Sequence, residues 1–465
     1  MKIKNYTTLV ILSQFILFTP AYASTIDVDK VASATRSLLS EMVAADTTNL
    51  PGNEARIVKI VEARLKKVGI PYEVTEFAPG RQNIVARLKG AGSAKPMLIL
   101  AHIDVVGTAG QAWTFAPHQV TEKDGYLYGR GVLDDLGMAA LSIEMLIALK
   151  QAGTPLRRDI IVALTGDEES GGLGIQYILK NQPQSISAAF ALNEGGGIVL
   201  GEDGKAQRID LQVGEKIYQD YELVTKGTTG HSSAPLKENA IAKLGAALGK
   251  LGNYQRPARL IPATRAYFSA QAAIEKPEMA AAMRALAGAK GALPRKAVAM
   301  IETNPSQGAL LRSTCVATMV NGGTRVNALP AEARANINCR ILPDENKDLI
   351  RSDLIRVIAD AGVEVNILQD EKSSPASDLE NEAPIAIRKI AAATWPGILI
   401  VPAISTGATD SRFLRAAGIP SFGISPIPAS EQDDRRAHGI DERIPTSGLK
   451  TGVEFYYKLL MELAG

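Results

Sequence analysis

Apolar side chains recur at helical spacing through residues 26–68, which predicts two amphipathic helices there. Gly69 ends the second helix as a glycine C-cap does. Three strands are then predicted, at residues 72–77, 83–88 and 97–101. The third, M-L-I-L-A, is apolar throughout, which is typical of a central strand buried on both faces of a sheet.

The succession of apolar strand, polar loop and helix continues towards residue 200. Helices are predicted at 138–151 and 171–179, and buried strands at 160–164 and 188–192. Polar and acidic side chains follow the strands at 97–101, 160–164 and 188–192. Because open α/β sheets carry their functional groups at the carboxyl ends of the strands, the pattern predicts an α/β sheet with a site along one edge.

The pattern changes near residue 217. Residues 218–226 and 311–341 have the character of strands, with a helix predicted at 240–251 between them. The stretch 255–305 is rich in Ala, Arg and Pro and is predicted to be helical in part. These elements, which carry no residues of metal-ligand type, predict an inserted α+β unit.

We therefore predict two domains, as expected for 465 residues, a length too great for one ordinary core. The first is a discontinuous α/β domain with a mixed sheet flanked by helices, residues 24–217 and 343–465. The second is the inserted α+β domain, residues 218–342.

The first 23 residues are predicted to be a secretory signal peptide. Lys2 and Lys4 form a positive start, an apolar run at 8–18 is too short to span a bilayer, and A-Y-A at 21–23 suits a signal peptidase. An uncleaved anchor is the alternative. Export to a bacterial periplasm follows as the expected localisation, with no membrane contact after cleavage.

The net charge of +2 is too small to indicate nucleic acid or an acidic membrane surface as a partner. Cys315 and Cys339 lie in two predicted strands joined by a turn. A disulfide in an oxidising compartment and two separate buried thiols both remain open.

Five residues in separate segments are of metal-ligand type: His102, Asp134, Glu169, Glu194 and His438. The chain has only four histidines, and two of them belong to this set. Imidazole nitrogen and carboxylate oxygen hold Zn²⁺, and a carboxylate shared by two such ions makes a paired site that polarises a carbonyl and activates water. The residues therefore predict a hydrolytic metal site, with Co²⁺ or Mn²⁺ as alternatives to zinc.

Neighbouring polar residues suggest roles around the metals. We expect His102 to bind metal while Asp104 accepts the other ring N–H and orients the imidazole; a purely structural His–Asp pair is the alternative. Asp134 follows a glycine-punctuated loop and can serve one cation with each oxygen. Of the adjacent acids, we assign Glu169 to metal and Glu168 to general base and then acid, against the alternative of a solvated acidic loop.

Outside these segments, His231 is a candidate donor to a developing oxyanion. The alternative is a structural residue beside a serine that caps the following helix. Arg340 and Asn327 are candidates for holding a substrate carboxylate, since Arg presents a planar fork of donors.

Together these segments resemble the co-catalytic di-zinc family that contains glutamate carboxypeptidase, aminoacylase, succinyl-diaminopimelate desuccinylase and carboxypeptidase S. The carriers of the resemblance are H-I-D-V-V at 102–106, G-R-G-V-L-D at 129–134, D-E-E at 167–169, E-G at 194–195, G-H-S-S at 230–233, T-G-A-T-D-S-R-F at 406–413 and H-G at 438–439. The segment around 230–233 looks most like the carboxypeptidase S branch.

The resemblance implies that the α/β domain is catalytic and that the inserted domain is a lid that often dimerises. It implies that Asp134 bridges two zinc ions, with His102 and Glu194 on one and Glu169 and His438 on the other.

The resemblance also implies a general base at Glu168, an orienting acid at Asp104, and a His231 that reaches the site of a neighbouring subunit. It points to Asn327, Arg340 and the 405–409 loop, including Gly407 and Thr409, as the part that binds the substrate carboxylate.

The expected function is therefore a secreted zinc exopeptidase that cleaves an amide bond next to a free carboxylate. The substrate would be a dipeptide or the C-terminal residue of a peptide. The alternative within hydrolases is a deacylase of N-acyl amino acids, and from another class it is a catalytically silent binding protein.

Overall fold

The computed structural model describes residues 26–368 and 374–465. The predicted signal peptide, residues 1–23, lies outside the described residues. The α-helices are Val28–Ala44, Ala55–Val68, Leu136–Ala152, Leu173–Asn181, Ala240–Gly252, Pro262–Gln271, Pro277–Ala287, Arg295–Ile301, Pro305–Ala309, Lys347–Ile358, Glu382–Thr394, Ser411–Ala416, Glu431–Asp434 and Thr446–Ala464, with a 3-10 helix at Pro183–Ile186.

Eight strands form one sheet, which we call the large sheet. In spatial order they are Leu399–Ser405, Ala206–Glu215, Ser421–Ser430, Ala191–Leu200, Met97–His102, Ile160–Thr165, Arg81–Leu88 and Tyr72–Ala78. The three central strands that begin at residues 191, 97 and 160 are mutually parallel, whereas the last two strands of the order pair antiparallel. The predicted mixed sheet is thus confirmed.

Side chains of the central strand Met97–His102 alternate between two cores. Ile99 and Ala101 face the larger core, and Leu98 and Leu100 face a smaller core on the opposite side. The helices Val28–Ala44, Ala55–Val68, Leu136–Ala152 and Thr446–Ala464 contribute to the larger core, and Leu173–Asn181 contributes to the smaller one. The strand is therefore buried on both faces, as its uninterrupted apolar sequence predicts.

Four other strands form the small sheet, which is antiparallel throughout: Thr314–Gly322, Glu332–Ile341, Ile217–Lys226 and Val363–Ile367 in spatial order. The helices Ala240–Gly252 and Lys347–Ile358 share a separate apolar core with it. We call this sheet with its two helices the lid.

The lid extends beyond the predicted boundary at residue 342. The helix Lys347–Ile358 and the strand Val363–Ile367 both lie after that boundary, yet they pack in the lid and pair with its sheet. Their apolar periodicity is equally compatible with either domain, and only the pairing partner distinguishes them. The chain therefore leaves the lid after residue 367.

The helices between residues 262 and 309 were predicted to belong to the inserted domain, but they pack in the α/β domain. They interrupt the lid in sequence, but Phe268, Met283 and Ile301 are buried in the larger core of the α/β domain. The helix Pro262–Gln271 packs on the edge strand Leu399–Ser405. Residues 262–309, which we call the helical segment, thus cover one edge of the large sheet. They also connect two parts of the lid in sequence.

The two cysteines face each other across adjacent lid strands. Cys315 pairs directly with Cys339, and their sulfur atoms form a disulfide of 2.01 Å. Of the two alternatives that the sequence leaves open, the structure has the disulfide. Among the described residues, none of the helices combines the length and apolarity needed to cross a bilayer.

Candidate metal centre

Four of the five predicted ligands meet at one edge of the large sheet. Nε2 of His102 lies 3.0 Å from Oδ1 of Asp134, and Nε2 of His438 lies 3.1 Å from Oδ2 of the same carboxylate. Nε2 of His438 is also 3.0 Å from Oε2 of Glu169. One carboxylate therefore has a different imidazole on each oxygen, which is the arrangement that a bridging ligand between two cations requires.

The fifth predicted ligand, Glu194, lines the same cavity. This cavity of about 290 Å³, the site cavity, is lined by Asp134, Glu168, Glu169, Ser170, Glu194, Ala408, Arg412 and His438. The structure thus brings the five predicted ligands and the predicted base Glu168 to one place, although they come from stretches up to 336 residues apart in sequence, the separation of His102 from His438.

Strand pairing explains how His102 and the acidic pair meet. His102 is the last residue of its strand and is in register with Thr165, the last residue of the neighbouring parallel strand. Glu168 and Glu169 follow three and four residues later. Because parallel strands end at the same edge of a sheet, the two sets of ligands emerge side by side.

Asp104 stabilises this edge of the sheet through hydrogen bonds that only partly match its predicted role. Nδ1 of His102 lies 2.9 Å from the backbone oxygen of Asp104, whereas the Asp104 carboxylate is 3.7 Å away. That carboxylate instead accepts hydrogen bonds from the backbone N–H groups of Glu168, at 3.1 Å, and Glu169, at 3.2 Å, and from Asn49. Asp104 therefore orients the imidazole through its carbonyl, and its carboxylate fixes the backbone that carries the acidic pair.

A buried ion pair supports residues 129–134, the loop that carries Asp134 and that we call the bridging loop. Arg130 is 1% exposed and Glu442 is 0% exposed. Nη1 of Arg130 donates to the Glu442 carboxylate at 2.6 Å. Glu442 also accepts from the backbone N–H groups of Gly131, Leu133 and Asp134. Arg130 donates in addition to the carbonyl of the glycine after His438, so the pair links both metal-ligand loops.

We expect Glu442→Gln to lower the free energy of unfolding by about 1–3 kcal/mol, because the amide NH₂ would face backbone N–H groups that now donate to a carboxylate. Urea unfolding of the metal-free chain measures the change. The exposed Glu202→Gln is the control and should leave the unfolding midpoint unchanged. Equal stability of the two variants would contradict a supporting role for Glu442.

The charges of the site favour bound cations. Burial opposes protonation of His102, but its hydrogen bond to Asp134 and the charge of Glu168 outweigh it and raise the pKa of the imidazole. Hydrogen bonds to Asp134 and Glu169 raise the pKa of His438 to about 10. Burial and neighbouring carboxylates raise the pKa of Glu168 and of Glu194. The neighbouring carboxylates contribute to each of these shifts, and a proton or a metal ion relieves their mutual repulsion.

The donor set fits divalent metal. His102, Asp134 and Glu169 each offer a ligand atom within 4.8 Å of the others. Oε1 of Glu169 is buried and has no hydrogen-bond partner among the described residues, so this oxygen is available to a cation. Mixed imidazole and carboxylate ligands are those that Zn²⁺ accepts.

The 405–409 loop borders the site, but its predicted residues differ in their surroundings. Gly407 is exposed, and the carbonyl of Thr406 accepts from Arg340 at 3.0 Å. In contrast, both the N–H and the hydroxyl of Thr409 donate to the buried carboxylate of Glu215, at 3.0 and 2.6 Å. Thr409 therefore anchors the loop to the buried Glu215, and its predicted contact with substrate stays a prediction.

Arg412 is a cation of the site that has no role among those predicted from the sequence. It lines the site cavity, and its Nε is buried without a hydrogen-bond partner among the described residues. It also lines a second cavity of about 520 Å³, the side cavity, whose apolar lining includes Leu179, Ile217, Phe413 and Ala416. Its place three residues after the predicted 405–409 loop is the signal that could have found it.

His231 and Asn327 lie together in the lid rather than at the metal ligands. The strand Gly230–His231 pairs with Ala328–Leu329, and the carbonyl of Asn327 accepts from Ser232 at 3.0 Å. Both residues are exposed, and neither lines the site cavity or the side cavity. Within one chain, the structure therefore leaves these two predicted residues outside the metal centre.

The fold and the donor set are those expected of a metal-dependent hydrolase. The chain belongs to peptidase family M20/M25/M40, whose family model matches residues 98–462. The resemblance and the enzyme class predicted from the sequence are thereby confirmed.

The proteins that are similar to this chain in sequence include an acyl-amino-acid enzyme and a probable carboxypeptidase-like protein. N-fatty-acyl-amino acid synthase/hydrolase PM20D1 of Homo sapiens is 30% identical over 377 residues, which cover 79% of this chain and 74% of that protein. Probable carboxypeptidase S-like 2 of Dictyostelium discoideum is 30% identical over 376 residues, covering 79% and 72%. Among solved structures, the metallo-carboxypeptidase Sso-CP2 of Sulfolobus solfataricus superposes with a TM-score of 0.67 at 19% identity, over 92% of this chain and 98% of that one.

Proposed function

We propose that this chain is an exported zinc hydrolase that cleaves the amide bond next to a free carboxylate, in a dipeptide or at the C-terminal residue of a peptide. The observation that carries the proposal is the Asp134 carboxylate with a different imidazole on each oxygen. His102, Glu194 and Asp134 would hold one ion, and Glu169, His438 and Asp134 the other. When bound, the two ions polarise the amide carbonyl and lower the pKa of water.

Glu168 is the proton carrier in this proposal. It lines the same site cavity as Asp134 and Glu194, and it is not one of the five predicted metal ligands. Its carboxylate takes the proton of the attacking water and then passes it to the leaving nitrogen. Burial and the surrounding carboxylates raise its pKa, which suits a group that must both accept and return a proton.

The substrate carboxylate is held by arginines at the edge of the site. Arg412 has a buried Nε without a partner among the described residues and lines the site cavity. Arg340 reaches the same loop from the lid, where it donates to the carbonyl of Thr406. An Arg fork matches a carboxylate in charge and geometry, so this pair selects substrates with a free carboxyl group.

We expect Arg412→Ala to raise KM about tenfold or more with little change in kcat, because it removes a contact made to substrate and transition state alike. Steady-state kinetics on a dipeptide amide bond, with and without a blocked C-terminal carboxylate, measures this. Arg435→Ala, which removes an arginine whose side chain is 79% exposed, is the matched control. If the variant discriminated against the blocked substrate as strongly as wild type does, Arg412 would not be the carboxylate contact.

A second candidate function is hydrolysis of N-acyl amino acids. The side cavity shares Arg412 with the site cavity, and its apolar walls suit an acyl chain as well as a peptide side chain. The 30% identity to the fatty-acyl-amino acid enzyme PM20D1 favours this candidate to the same degree as the carboxypeptidase-like relative favours the first.

A substrate panel separates the two candidates. Metal-reconstituted enzyme is assayed for amino-acid release from dipeptides and from N-acyl derivatives of the same amino acids. The proposal expects kcat/KM to be higher for dipeptides, whereas a preference for long N-acyl groups would favour the second candidate. Absence of release from both series, with metal bound, would contradict both candidates.

Export and dimerisation complete the proposal. The disulfide between Cys315 and Cys339 suits an oxidising compartment such as the periplasm. Among the described residues, no strand pairs with the outer side of the lid strand Thr314–Gly322, and Val316, Met319 and Val320 on it are 58–72% exposed. Such an edge favours pairing with a second copy, which could bring the exposed His231 to the partner's site.

Complementation tests the role of His231 in a dimer. His231→Ala and Glu168→Gln chains are each expected to be nearly inactive alone. After mixing and exchange, about a quarter of wild-type activity should return, because half of the dimers are mixed and each contains one complete site. Exchange is checked with tagged chains, and full exchange without recovered activity would contradict action across the dimer.

A further inference from the structure

A cavity of about 650 Å³ lies in the lid, separate from the metal centre. Its walls come from the helices Ala240–Gly252 and Lys347–Ile358, the start of the strand Thr314–Gly322, and the end of the helical segment. None of its lining residues lines the site cavity or the side cavity. Its volume falls within the range of about 300–1,000 Å³ in which proteins bind small molecules.

One side of this lid cavity is apolar. Leu248 and Leu251 from one helix, Ile350 and Leu354 from the other, and Ile337 from the sheet contribute to it. Leu248 and Leu251 are only partly buried, so they have surface left to cover. An apolar chain would remove that surface from water, which is the ordinary driving force for ligand burial.

The polar side of the lid cavity has one group whose hydrogen bonds are not used. The Arg312 side chain is 7% exposed, and only its Nη2 has an ion-pair partner, Glu302 at 2.6 Å. Nε and Nη1 are buried without a hydrogen-bond partner among the described residues. A buried guanidinium with free N–H donors is unfavourable unless a ligand or water accepts from them.

The other charges around the lid cavity are already matched. Asp353 accepts from Arg256 and, at 3.0 Å, from Tyr254. Glu302 accepts from Gln255 at 3.2 Å in addition to Arg312. No acid that lines the cavity therefore remains to satisfy the free donors of Arg312, within the residues that the structure describes.

A buried lysine adds positive charge behind Arg312. Lys216 is 1% exposed, and its ammonium donates to the backbone carbonyls of Ala309 and Arg312, at 2.7 and 2.9 Å. Burial, together with the nearby cations Arg340 and Arg312, lowers the pKa of Lys216 to about 8. Lys216 therefore adds a second cation next to Arg312 at this end of the lid cavity, which favours an anion near the two.

We propose that the lid cavity is a second ligand site, which binds a monoanionic carboxylate with an aliphatic chain. Its head would accept from Nη1 of Arg312, and its chain would lie against Leu248, Leu251 and Leu354. A single negative charge matches the site better than phosphate does, because Glu302 and Asp353 also line the cavity.

Calorimetric titration of dodecanoate into the intact chain tests the proposal. Arg312→Gln should weaken binding by about tenfold or more, because it removes a charge-assisted contact. Arg295→Gln, at an exposed arginine of the helical segment, is the matched control and should bind as wild type. Dodecanol, acetate and inorganic phosphate should each bind more weakly than dodecanoate.

Two further variants locate the bound dodecanoate. Ala309→Phe places a ring in the lid cavity and should exclude dodecanoate even if Arg312→Gln fails to fold. Asp134→Ala alters the metal centre and should leave dodecanoate binding unchanged. Binding that survives both lid substitutions, or that is lost in Asp134→Ala alone, would overturn the proposal, as would phosphate binding as tightly as dodecanoate.

Discussion

Glu168→Gln should lower kcat by at least about a hundredfold, the scale that general acid–base groups supply. The amide has nearly the same shape as the carboxylate but cannot take a proton from water at neutral pH. Glu168 lines the site cavity beside Asp134 and Glu194, while its backbone N–H is held by Asp104. Substitution of the side chain should therefore leave the ligand geometry intact.

Two measurements on the same preparation distinguish loss of the general base from loss of a metal ligand. Metal content by mass spectrometry should equal that of wild type, and kcat should fall in the metal-loaded protein. Glu278→Gln, at an exposed position of the helical segment, controls for loss of one surface charge. Turnover like that of wild type in Glu168→Gln would end its assignment as the base, and loss of metal would instead make Glu168 a ligand.

Asp134→Ala should abolish activity and reduce bound metal from about two ions per chain to well below one. The physical reason is that one carboxylate serves both sides, with His102 on Oδ1 and His438 on Oδ2. Its removal takes an anionic ligand from each ion and leaves two imidazoles facing each other across the gap.

Glu194→Ala provides the matched comparison, because this acid is proposed to serve one ion alone. It should lose about one ion and retain the other. Asp203→Ala, at an exposed aspartate, should retain both. Equal metal loss in Asp134→Ala and Glu194→Ala, measured at the same free zinc concentration, would contradict the bridging role.

Much of the metal centre could be predicted because its ligands follow patterns that are local in sequence. His102 ends an all-apolar strand, and Glu168 and Glu169 follow another, so the sheet alone predicts that they meet. His438 has no such strand before it, and its assignment rested on the resemblance as well as on the glycine and acids that follow it.

Groups that act through long-range partners could not be predicted in the same way. Glu442 supports the bridging loop from 308–312 residues away along the chain, and nothing local distinguishes it from an ordinary surface acid. Likewise, the strand Val363–Ile367 has an ordinary strand pattern, and its place in the lid depends on its pairing with Ile217–Lys226. The hydrogen bonds that anchor Thr409 could not be predicted either, because their acceptor, the buried Glu215, lies 194 residues earlier.

Anomalous diffraction from crystals of zinc-loaded protein would test the paired metal centre most directly. We expect two peaks about 3.5–4 Å apart, with Asp134 between them, one next to Nε2 of His102 and the other next to Nε2 of His438. A single peak, or peaks away from these side chains in fully loaded and active protein, would contradict it.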